Sequence, residues 1–81
     1  MKIKPNTYYK RYYTNSIFEY DIKYTDKKYV YIIAEKAYDN PLNKFDKKFK
    51  WGTIKRWQNN INTRNIEMEE MSKEDLFLEL L

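Results

Sequence analysis

The sequence predicts an α+β fold. It reads as one domain over residues 1–81, with a three- or four-stranded antiparallel sheet around a central hairpin at 17–38 and two short helices on one face. Three observations predict it. Residues 17–24 alternate, with Phe18, Tyr20, Ile22 and Tyr24 on one side and Glu19, Asp21 and Lys23 on the other, the period of a half-buried strand. Residues 29–38 carry Tyr, Val and Ile on both sides, as a more central strand does. Two later stretches, 54–62 and 73–81, repeat their apolar residues at helical spacing instead.

In chain order, residues 1–6 read as a frayed end or a short edge strand stopped by Pro5. Residues 7–13, TYYKRYY, form a first strand, and Thr14-Asn15-Ser16 has turn chemistry. The hairpin follows, with Thr25-Asp26-Lys27-Lys28 as its polar turn. On its first strand the acidic and basic side chains are expected to be solvated rather than to form a carboxylate site. Asp39-Asn40-Pro41 ends the second strand, because Pro41 lacks a donor and turns Asn40 away from helix.

Residues 41–50, PLNKFDKKFK, read as a basic connector or short amphipathic helix, with Phe45 and Phe49 four apart. Gly52, the single glycine, suits a backbone needing positive φ or close approach. Thr53 is placed to cap a helix whose inner face is Ile54, Trp57 and Ile61. Residues 66–69 alternate and can add a strand. Ser72 caps the last helix, whose first turn is acidic and whose apolar face is Leu76, Phe77, Leu80 and Leu81. The expected core is Tyr20, Ile22, Tyr31, Ile33, Trp57, Ile61, Leu76 and Leu80.

A chain of 81 residues builds a thin core, and this one has no Cys or His to staple it. Its nine Tyr, four Phe and two Trp must supply the packing. The same absences remove thiol chemistry, imidazole bases and the usual zinc ligands. One glycine excludes the phosphate-cradling glycine loops. No catalytic, metal or cofactor site can be assembled, so a non-catalytic role is expected. Residues 1–13 lack the apolar stretch of a signal peptide, and no apolar run is long enough to span a membrane. The Lys, Asn, Ile and Tyr bias is that of AT-rich codons. It points to the cytoplasm of a low-GC bacterium, or to a phage or mobile element within one.

Charge is uneven. Residues 1–65 hold 15 Lys and Arg against 6 Asp and Glu, whereas residues 66–81 hold one Lys against 6 Asp and Glu. The acidic stretch can dock on the basic body, in the same chain or in a homodimer, or the two can form separate binding surfaces. The candidate surface residues are Tyr8, Lys10, Arg11 and Tyr12 in the aromatic–basic strand, then Lys44, Lys47, Lys48, Lys50, Lys55 and Arg56. Glu67, Glu69, Glu70 and Leu78 belong to the acidic segment. The leading expectation is a small protein-binding module, a phage or mobile-element accessory protein that binds and inhibits a host or defence protein such as a nuclease. The alternative is a basic nucleic-acid-binding protein, whose rings stack on bases while its cations follow phosphates. Cations gathered on one face between exposed Tyr rings would favour the second; scattered cations beside an apolar patch would favour the first.

Overall fold

The computed structural model describes the backbone of residues 1–81 and every side chain except those of Lys47 and Lys48. The elements are β1 (Tyr8–Tyr12), β2 (Phe18–Thr25), β3 (Tyr29–Ala37), β4 (Asn43–Thr53), α1 (Ile54–Thr63), β5 (Glu67–Met71) and α2 (Lys73–Glu79). One five-stranded antiparallel sheet runs in the order β4-β3-β2-β1-β5. The first four strands form a meander. Helix α1 then carries the chain back across the sheet, so that β5 lies beside β1.

The expected hairpin is present, and the sheet is larger than expected. Strand β2 is its middle strand, and β3 is one position out. The 41–50 stretch is not a helix: most of it lies in β4, an edge strand. Phe45 and Phe49 share a side at spacing four in a strand as well as in a helix, and their rings meet edge-on at 4.7 Å. Pairing with β3 jumps from Lys44, opposite Ala34, to Phe49, opposite Ile32, so the edge bulges between them. Gly52 has no positive φ, and a Cβ there would meet the Arg56 side chain at an ordinary 3.5 Å. The left-handed positions are Asn6, Asn15 and Asp39, all in predicted termini or turns.

Both helices begin where capping chemistry placed them. The Thr53 hydroxyl accepts the Arg56 N–H at 3.1 Å, and the Ser72 hydroxyl accepts the Asp75 N–H at 3.1 Å. They do not share a face. Paired residues on adjacent strands point the same way. Tyr9 opposes Lys23, and Thr25 opposes Val30, on the side covered by α1. Tyr8 opposes Tyr24, and Ile22 opposes Ala34, on the side covered by α2.

The core is therefore double. On one side, Trp57 and Ile61 of α1 pack on Ile3, Tyr9 and Val30, with Trp51, Ile54, Ile66 and Met68 around them. Under α2 lie Ile22, Ala34 and Met71, with Tyr8, Tyr20, Ile33, Leu42, Leu76 and Leu80. Of the expected core, Tyr31 belongs to neither cluster; its hydroxyl donates to Asp26 at 2.9 Å. The N-terminus is not frayed. Ile3 is buried, its N–H donates to Gln58 Oε1 at 2.6 Å, and Gln58 Nε2 donates to the Met1 carbonyl at 2.8 Å.

Candidate functional site

Covering β2 on both sides overturns one expectation. Asp21 and Lys23, assigned to a solvated face, are only 2 % and 1 % exposed. The Lys23 ammonium donates to both Asp21 carboxylate oxygens, at 2.7 and 2.6 Å, and stands 5.6 Å from the Trp57 ring. The Tyr13 hydroxyl donates to the same carboxylate. Burial pushes the Lys23 ammonium down from its ordinary range, against the opposing pull of Asp21. Burial and the hydrogen bond to Asp21 push the Tyr13 hydroxyl up. Arg11 closes the cluster, its guanidinium 4.4 Å from the Tyr13 ring and its Nε buried without an acceptor.

On the opposite face, the acidic segment docks on the basic body. Lys10 Nζ lies 3.1 Å from Glu79 and 4.0 Å from the centre of the Tyr20 ring. Tyr20 donates its hydroxyl to the same Glu79 carboxylate. That hydrogen bond, with the nearby Lys10 charge, holds Glu79 below the usual carboxylate range. The Tyr20 hydroxyl is pushed up by burial and by Glu79. Tyr12 donates to Glu69 at 2.8 Å, and burial with that bond pushes its hydroxyl up to about 12. Lys44 donates to the Leu80 carbonyl, and on the α1 side, where Glu70 opposes Tyr9, Lys4 pairs with Glu70 at 3.2 Å.

The candidate residues therefore separate. Tyr8 packs against Tyr24 with ring centres 4.8 Å apart and planes tilted, and Lys10, Tyr12, Glu69 and Glu70 are engaged within the fold. Arg11 points to the other face, where with Arg64, Ile66 and Glu67 it lines a hollow of about 460 Å³. Lys50 lies 3.9 Å from the Tyr29 ring centre, and Arg56 lies 5.0 Å from that of Trp51. Lys55 and Arg56 stand exposed in the first turn of α1. The side chains of Lys47 and Lys48 lie outside the described residues. Leu78 is exposed, beside exposed Phe77 and Leu81.

Sequence reasoning missed Tyr13, Asp21, Lys23 and Glu79 as organising groups. The Lys-Tyr-Glu contacts join residues far apart in sequence, which no local spacing signals. Among the described residues, no helix is long and apolar enough to cross a membrane. The chain matches no protein-family model, no curated protein and no solved structure.

Proposed function

We propose that this chain is a small non-catalytic protein-binding module that covers a surface of a host or defence protein, such as a nuclease, and blocks it. The observation that carries this reading is the outer side of α2. Leu76 and Leu80 dock on the sheet, while Phe77, Leu78 and Leu81 are 66, 67 and 82 % exposed. Exposed Lys73, Glu74 and Asp75 precede them on the helix, giving an apolar centre beside charged residues, the anatomy of a protein interface. Lys10 and Arg11 of the aromatic–basic strand point to opposite faces, so that strand offers no continuous cationic platform, which supports the same choice. Asp21 and Lys23, the most enclosed ionic pair among the described residues, are buried away from the surface, which supports a non-catalytic reading.

The test compares the wild-type chain with F77S/L78D as bait in a bacterial host lysate. Both side chains are exposed, so the variant keeps its fold, which circular dichroism checks. The expected result is a partner held by the wild type and released by the variant, with its activity reduced when bound. Equal retention by both chains would remove α2 from the interface. A wild-type dimer that the variant turns into a monomer would assign the surface to a second copy instead.

A further inference from the structure

The cations at the N-terminal end of α1 come from three segments that the fold ties together. The Ile54 N–H donates to the Lys28 carbonyl at 2.8 Å, fixing the β2–β3 turn against the helix. The Gln58 clasp on Met1 and Ile3 fixes Lys2 on the other side. Two adjoining open hollows result, of about 790 and 400 Å³, which share Thr53, Ile54 and Lys55. Lys2, Lys55 and Arg56 line the first, and Lys27, Lys28 and Lys55 line the second. Among the described residues, neither lining contains a carboxylate, and none of these five cations has an ion-pair partner. Asp26, the acid of the turn, is directed at the Lys28 and Tyr29 amides and the Tyr31 hydroxyl.

Helix stability does not explain this arrangement. The first turn of α1 contains no acidic residue and two basic ones, where the helix dipole disfavours positive charge. Two of the terminal amides are already taken, the Ile54 N–H by the Lys28 carbonyl and the Arg56 N–H by the Thr53 hydroxyl. Five unpaired cations gathered against that field are complementary to a polyanion. Two rings flank them: Tyr29, 5.3 Å from Lys28, and Trp51, 5.0 Å from Arg56. Open hollows lined by spaced cations fit a flexible strand whose phosphates follow the cations.

We propose that the Lys2, Lys27, Lys28, Lys55 and Arg56 surface binds the phosphodiester backbone of single-stranded nucleic acid without reading its sequence. The hollows include no residue of α2, so this surface stands or falls separately from the protein-binding reading.

The test is fluorescence anisotropy of the full chain with a labelled oligothymidylate and a labelled RNA of mixed sequence, over a range of salt. Binding is expected to weaken with salt, with a log–log slope of about −0.7 per phosphate contacted, so about −2 to −3.5 for three to five contacts. K55E/R56E is expected to bind at least about tenfold more weakly while its melting temperature rises, because acids then occupy the first turn. That pairing separates lost binding from lost folding. K73E, which changes an exposed cation on α2, is expected to bind as the wild type does. The proposal fails if no binding appears at low salt, if K55E/R56E binds normally, or if K73E weakens binding as much. It also fails if polyglutamate displaces the oligonucleotide as well as unlabelled oligonucleotide does, since charge alone would then suffice.

Discussion

Lys23 takes its ammonium into an interior that can hold it only because Asp21 is there, two residues away on the same strand and the same face. Taking two charges out of water is costly, and their close pairing offsets that cost without making the pair a strong source of stability. The dependence is lopsided. D21A leaves a buried ammonium facing aromatic rings and is expected to cost about 3–5 kcal/mol. A domain of this size has only about 4–12 kcal/mol in total, so urea denaturation should show a shift to much lower concentration. Replacing Tyr13, Asp21 and Lys23 together in Y13F/D21V/K23M is expected to recover much of the loss, since the buried ammonium leaves with its partner. If D21A and the triple variant were equally unstable, packing rather than charge would be the cause. The sequence shows these residues plainly but not their burial. An Asp-x-Lys alternation looks the same on a wet face and under a helix, and only the path of α1 decides between them.

At the scale of the element, what was legible had a local cause. The hairpin has a period-2 pattern and a polar turn, and each helix has a hydroxyl cap that the structure uses. Strand β4 was hidden because two Phe four apart fit either geometry, and the lysines between them suggested a solvated helix. Helix α2 was legible in extent but not in attachment. It has seven residues, too few to stand alone, and its Glu79 reaches both Tyr20 and Lys10 on the sheet. The depressed Glu79 carboxyl adds stability that is present above its unfolded value of 4.5 and fades as pH falls through the lower folded value. The wild-type melting temperature is therefore expected to drop more steeply than that of E79Q between about pH 6 and pH 3. Parallel curves would show that α2 is held by contacts other than the Glu79 carboxylate.

Across the whole molecule, tyrosine hydroxyls link the sheet to the carboxylates beside it. Tyr12, Tyr13, Tyr20 and Tyr31 donate to Glu69, Asp21, Glu79 and Asp26. All four hydroxyls are raised above the ordinary value of 10.0, Tyr12 to about 12. A raised group stabilises the fold fully below its unfolded value and ceases to as pH climbs through the folded one. Following tyrosinate absorbance in alkali should thus show a cooperative step in which these four ionise as the fold opens. Ionisation of these four in one smooth transition near 10 would contradict the bridges. The placement of the two helices on opposite faces was not readable at all, because amphipathic patterns say which side of a helix is buried and not which side of a sheet buries it. The return of β5 to β1 is equally non-local, and it sets an order in time. Tyr8 pairs with Met71 and Tyr12 with Glu67, roughly sixty residues apart along the chain. During synthesis β1 leaves the ribosome early and can meet β2 within moments. Its other flank stays unpaired until β5 emerges several seconds later, at synthesis rates of about 5–20 residues per second. For that interval the nascent chain carries an open, tyrosine-rich edge, and the last strand to be made is the one that closes it.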